Sequence, residues 1–263
     1  MILDKMAAVL KKDLLTALRY RNGFVFAIVA PAIQLATFYY LSRAVGPQFR
    51  PEGMPYFLFL IVGTGFYTFL IAGIHSFLQT VQESQQTGTL EVLMTTSTPP
   101  PVLLILSAMS AFGSGAVQLV FYVGAGLMLF AAPHVNLAGC ALVFGFSVVI
   151  SISVGLFAAG LQIAIHKGSA VLWLLGSTAW LMAGTLFPVE ALPRTLRFVS
   201  VLLPFTHSLT GMRLALVEGS SQAALVREIE ILGLCSILLV PLGIAFFAWT
   251  VRRARQLGTL SFY

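Results

Sequence analysis

The sequence predicts an all-α integral membrane protein with six transmembrane helices, and three observations carry that expectation. Hydrophobic residues make up 58% of the 263 and charged residues only 9%, with a mean hydropathy of +0.94. Soluble domains carry roughly 25% charged residues, which leaves little room here for a soluble fold. The apolar residues come in long blocks rather than short alternating ones, the pattern of spanning helices and not of a transmembrane barrel. Basic residues flank both ends of the chain, as an even number of spans requires when the two termini share one side.

Composition also narrows function. A formal charge of +6 matters here through its distribution over loops and ends, which orients membrane helices, and nucleic acid is not expected as a partner. Cys140 and Cys235 both lie within apolar blocks, where a thiol behaves as a small hydrophobe and implies neither a disulfide framework nor a metal site. No Gly-x-x-x-x-Gly-Lys-Ser/Thr loop is present, and the lysines at 5, 11, 12 and 167 lie where they cannot cradle a triphosphate. The spans show no paired carboxylates, no Ser/His/Asp arrangement and no His or Cys at metal spacing, so catalytic, cofactor-binding and metal residues are all expected to be absent. An ion-coupled transporter or channel, the rival class, normally needs an acid or His chain within the membrane, and that gap argues for an external energy source.

Residues 1–22 alternate apolar and charged positions at helical spacing, with Ile2, Met6, Val9, Leu10, Leu14 and Leu18 against Lys5, Lys11, Lys12, Asp13 and Arg19, and read as an interfacial helix. The charges continue to Arg21 with no small-residue cleavage site beyond, so this is not a removable signal. Within the membrane domain, residues 23–251, the first span is expected over Phe24–Leu41, bent at Pro31, with Gln34 facing either a neighbouring helix or a cavity. The second runs from about Tyr56 to Gln79. Its rings Phe66, Tyr67 and Phe69 either line a route for an apolar or sugar-bearing substrate or fill packing space. His75 lacks partners of its kind and reads as structural. The third span, Val102–Ala131, carries Ser107, Ala111 and Gly115; the fourth, Leu137–Ile165, carries Ser147, Ser151, Gly155 and Ala159. Small residues four apart let helix backbones approach, and the two are expected to pack together. A fifth span covers Ser169–Phe187. After it Pro188, Pro193 and Pro204 break the chain into short pieces, near Arg194 and Arg197. Residues 207–228, with His207 and Arg213, read as an external amphipathic stretch, and a last span covers Ile229–Val251, followed by the cytoplasmic tail 252–263 with Arg252, Arg253 and Arg255. With both termini inside, nine of the fifteen basic residues fall inside and six outside, and the excess gathers at the two ends.

Between the second and third spans lies the one polar interruption with evident design, Glu83 to Pro101, reading ESQQTGTLEVLMTTSTPPP. Glu83 to Leu93 can form a short amphipathic helix, and the three prolines end it, Pro101 fitting the first turn of the next helix. Glu83, then Gly88-Thr89-Leu90-Glu91, then Leu93 and the Thr/Pro-rich exit resemble the first intracellular loop of ABC exporter permeases of the second type. The proline-broken segment after Gly184-Thr185-Leu186-Phe187 is the second point of resemblance.

The resemblance implies a fold and a machine. Residues 1–22 become an elbow helix, about 81–97 a cytoplasmic coupling helix, and 188–206 a re-entrant helical hairpin in the outer leaflet. Glu83, Gly88, Thr89, Leu90, Glu91 and Leu93 dock on an ATP-hydrolysing partner; Phe66, Tyr67, Phe69 and Phe187 are candidates for the substrate path, and Pro188, Pro193 and Pro204 for an outer gate. This chain binds no cofactor; ATP and magnesium belong to two separate nucleotide-binding subunits, joined to a homodimer of this chain or to a heterodimer with a related permease. The implied location is a bacterial or archaeal cytoplasmic membrane. The implied activity is export of a drug, lipid or glycolipid, with lipid-linked polysaccharide of the O-antigen or teichoic-acid type as the alternative cargo.

Overall fold

The computed structural model of the protein describes residues 21–88, 100–129, 135–165, 168–218 and 222–257. All regular structure among them is helical: α1 (Arg21–Val45), α2 (Tyr56–Gln86), α3 (Pro100–Leu129), α4 (Leu137–Ile165), α5 (Gly168–Met182), α6 (Arg194–Leu202), α7 (Pro204–Arg213) and α8 (Gln222–Leu257). Four of these, α2, α3, α4 and α8, are long and apolar enough to cross a membrane. Residues 1–20 of the expected elbow helix 1–22 and residues 89–97 of the expected coupling helix 81–97 lie outside the described residues, as do residues 258–263 of the tail. Residues 252–257 are helical and continue α8.

The fold is built around α2. Of its most apolar stretch 78% is buried inside protein, against 12% for α3, 39% for α4 and 22% for α8, so α2 is the axis and the others present faces to lipid. Its glycines make that enclosure possible: the ring of Tyr122 lies over Gly65 and that of Phe112 over Gly73, where any side chain would collide. Phe66, Phe69, Phe112 and Phe144 interlock around it, with the Phe69 and Phe144 rings stacked at 5.1 Å and Phe69 edge-on to Phe112 at 5.8 Å. A second cluster, with Phe77, Leu104, Leu156, Ile163, Phe247 and Val251, closes the opposite end.

The small residues of α3 and α4 act differently from the expectation. These two helices barely touch; α3 lies along α2, and α4 lies along both α2 and α8. Gly115 of α3 meets the Phe69 ring, Gly155 of α4 meets Phe77, and the Ser151 hydroxyl donates to the Leu70 carbonyl at 2.7 Å. Both stripes therefore serve α2 rather than each other. Where α3 and α4 diverge they leave an apolar cleft of about 560 Å³, walled by Phe66, Val123, Leu127, Cys140, Phe144 and Met212.

Helix ends follow local chemistry. Asn136 caps α4, its side-chain oxygen accepting from the Gly139 N–H at 3.0 Å. Pro100 and Pro101 open α3, and Pro204 opens α7. The second span was expected to stop near Gln79, with a separate helix from Glu83, but α2 continues without a break to Gln86. The polar residues there satisfy themselves along the helix: Thr80, Ser84 and Thr87 donate to the carbonyls four residues back, and the Gln79 amide donates to Glu83 at 2.8 Å. Gly88, at φ +67, then ends the helix, a conformation that costs glycine little. The α5 helix likewise stops at Met182, five residues short of the expected Phe187, because the chain turns at Gly184 with φ +78.

Candidate functional site

The most heavily constrained polar centre sits at the N-terminal end of α2, where the proline-broken segment folds back over it. Pro188 precedes the single turn Val189–Ala191, Pro193 precedes α6, and Pro204 is the first residue of α7, so each proposed gate proline marks the start of a short helix. Phe187, from the proposed path, is half-buried just before the first of these turns. Hydroxyls tie α6 and α7 to each other and to α5 and α4. Ser200 donates to the Met182 carbonyl at the end of α5, Thr206 donates to the Ser200 carbonyl at 2.7 Å, and the Ser147 and Ser208 hydroxyls of α4 and α7 lie 2.8 Å apart. Tyr56 donates to the Leu186 carbonyl at 3.0 Å, fastening the start of α2 to the same unit.

Arg213, at the end of α7, is the centre of this unit. The sequence placed it in an external amphipathic stretch, yet it is only 1% exposed and lies inside the fold. Its Nη2 donates to the Gly184 carbonyl at 2.7 Å and to the Phe59 carbonyl at 3.2 Å. Its Nη1 lies 3.5 Å from Glu52 Oε1, and the guanidinium sits 3.5 Å over the Phe59 ring. Gly63 supplies the space: a Cβ there would run into the guanidinium and stand 3.0 Å from the Thr185 carbonyl. Glu52 itself is held in the left-handed region at φ 52, ψ 28, strain that the surrounding contacts must hold in place. One guanidinium thus joins the loop after α1, the start of α2, the turn after α5 and the end of α7. The one sequence signal was an arginine set among apolar residues, Met212-Arg213-Leu214-Ala215-Leu216.

Beside it, His207 Nδ1 pairs with Glu228 of α8 at 2.7 Å while Nε2 faces the Val201 carbonyl at 2.8 Å. The bond to Glu228 raises the His207 pKa above its ordinary value, with burial opposing. Arg194 and Arg197 stand exposed on α6.

The C-terminal end of α2 is where the expected docking residues begin. Glu83 and Gly88 are described there, Glu83 on the last turns of the helix and Gly88 at its end; Thr89, Leu90, Glu91 and Leu93 lie outside the described residues. One turn from Gly88, Gln85 is buried and accepts from the Gln162 amide of α4 at 3.2 Å, which ties this end of α2 into the bundle. Between the two ends, Phe66, Tyr67 and Phe69 are 0%, 4% and 3% exposed and act as core within a single chain. The Tyr67 hydroxyl donates to the Gly176 carbonyl of α5 at 2.6 Å. Beside it a groove between α2 and α5, about 330 Å³, is lined by His75, Trp173 and Trp180. No three His, Cys, Asp or Glu side chains gather among the described residues.

The fold and its exposed apolar faces define an all-α, membrane-embedded protein. No protein-family model matches the chain, and no curated protein matches it.

Proposed function

We propose that this chain is the permease half of an ATP-driven exporter: six spans per chain, two chains forming the substrate path, and two separate ATP-hydrolysing subunits on the cytoplasmic side. The observation that carries this reading is the continuity of α2. Its 31 residues form one unbroken rod of about 46 Å at 1.5 Å per residue, with Phe59 under Arg213 at one end and the polar Glu83–Gly88 segment at the other. A displacement applied at the polar end is delivered to the outer unit, because a packed helix transmits strain rather than absorbing it. The six spans are the four long apolar helices together with α1 and with α5, whose 15 residues cover about 22 Å and reach across about 30 Å of hydrocarbon only with the folded-back segment beyond.

In this reading the segment after Gly88 docks on the partner, closure of the ATPase pair pushes α2, and the outer unit around Pro188, Pro193 and Pro204 yields to open the path past α2 and α5 in the membrane of a bacterium or archaeon. The cargo is an amphiphilic drug, lipid or glycolipid, with lipid-linked polysaccharide as the second cargo class. Purification of the full chain from its native membrane tests the proposal. An ATP-hydrolysing subunit should accompany it, and alanine at both Glu83 and Glu91 should separate ATP hydrolysis from export while the protein stays in the membrane. Vectorial transport by this chain alone in liposomes would overturn the proposal in favour of an ion-coupled transporter or channel.

A further inference from the structure

Gln34 stands in the middle of an apolar span, and its surroundings in the fold give it company. A cleft of about 60 Å³ opens between α1, α2 and α3, with Gln34, Thr68, Gln118 and Tyr122 among its lining residues and Pro31 at its edge. Gln34, Thr68 and Gln118 fall in the middle third of their helices, and so near the bilayer midplane, where transport sites concentrate, with Tyr122 one turn beyond Gln118. Around the cleft the exposed surface is apolar, with Ile33 on α1 and Val117, Val120 and Phe121 on α3 facing outward. An amide or hydroxyl turned to hydrocarbon has nothing to bond, so polar side chains gathered in one cleft at this depth call for an occupant. The Tyr122 hydroxyl adds an independent sign: it is buried and has no hydrogen-bond partner among the described residues. Pro31 contributes as well, since it lacks the N–H that would have bonded the carbonyl four residues earlier.

We propose that this cleft binds the uncharged, hydroxyl-bearing headgroup of an amphiphile, of the diacylglycerol kind. Two carboxamides and two hydroxyls offer donors and acceptors together, which suits alcohols and esters. No lining residue carries a charge, so an ionic headgroup would lose its hydration without gaining a counter-ion. The volume admits a group of a few heavy atoms, about the space of two waters, and the open side leaves the acyl chains in lipid. The inference rests on the export reading for one point, the reason a headgroup reaches the midplane.

The test uses the full chain in phosphatidylcholine nanodiscs and a diacylglycerol carrying a diazirine beside its glycerol, with phosphatidic acid carrying the same group as the charged arm. The diacylglycerol should cross-link to α1, α2 and α3 around the cleft, and the Q34L/Q118L double variant should lower that labelling about tenfold, the equivalent of one well-made hydrogen bond. On the unmodified protein, excess unlabelled diacylglycerol should abolish labelling and phosphatidic acid should not, which decides the matter even if a variant fails to fold. Equal labelling by phosphatidic acid, labelling unaffected by competitor, or cross-links joining two copies of the chain through this cleft would each overturn the proposal. The assay contains no ATPase subunit. Specific labelling without a co-purifying ATPase removes the export reading and leaves the site, and the reverse result removes the site alone.

Discussion

Replacing Arg213 with methionine keeps most of its length and apolar stem and removes the charge and the donors. Two charge-assisted hydrogen bonds, to Gly184 and Phe59, are lost along with the contact to the Phe59 ring and the pairing with Glu52. Hydrogen bonds to charged groups contribute about 1.5–3 kcal/mol each, and a desolvated ring contact about 2 kcal/mol. Against this stands the cost of desolvating a guanidinium that is 1% exposed, several kcal/mol that the variant no longer bears. Breaking a buried pair by removing one partner costs about 3–5 kcal/mol, and here Glu52, at 23% exposure, can turn to water, which places the loss near the lower figure. Arg213→Met should therefore destabilise the protein by about 3 kcal/mol. Adding Glu52→Gln should cost less on the methionine background than on the parent, because the two residues share one interaction. Unfolding in nanodiscs, followed together with maleimide labelling of a cysteine introduced at the exposed Phe198 of α6, reads both stability and loosening of the unit around Arg213. Parental stability and unchanged labelling in the methionine variant would refute the central place given to Arg213.

Three further expectations follow from single contacts. Gly63→Val should expel the guanidinium from its seat and match or exceed the Arg213→Met defect in the same unfolding measurement, since the Cβ has the Thr185 carbonyl only 3.0 Å away as well. Gly243→Val should spread α8 from α4, because its Cβ would meet the Ser153 carbonyl oxygen at 2.5 Å; a loss of about 1–3 kcal/mol is expected in thermal unfolding. For His207, a folded-state pKa raised by Glu228 stabilises the fold fully below the unfolded value of about 6.5, and that contribution disappears as pH rises through the folded value. Stability measured from pH 6 upward should fall across that window, and His207→Gln should flatten the profile.

What the sequence made legible was set by whether the signal is local. Leu137–Ile165 has the bounds expected of it, because Asn136 caps one end and the apolar block stops before His166 and Lys167 at the other. The breaks at Pro188, Pro193 and Pro204 were equally readable, since each proline restricts its own backbone. Other features depend on partners far along the chain. The small residues of α3 and α4 announce close packing but not with whom, and α2 is the partner that α3 and α4 share. The burial of Arg213 depends on Glu52, Phe59, Gly63 and Gly184, residues 29 to 161 positions away, which only the folded chain assembles. The extension of α2 through Gln86 was hidden because its polar residues look like a loop in composition, while their hydroxyls bond back along the helix.

The account depends above all on α2 carrying its two polar ends to opposite faces of the membrane. With Cys140 and Cys235 replaced by serine, single cysteines at Gly88 and at the exposed Glu190 can be treated with a membrane-impermeant maleimide on intact cells and again after permeabilisation. Labelling at position 190 in intact cells, and at position 88 only once the membrane is opened, is the predicted result. Labelling of both positions from the same side, or of position 88 alone in intact cells, would contradict it.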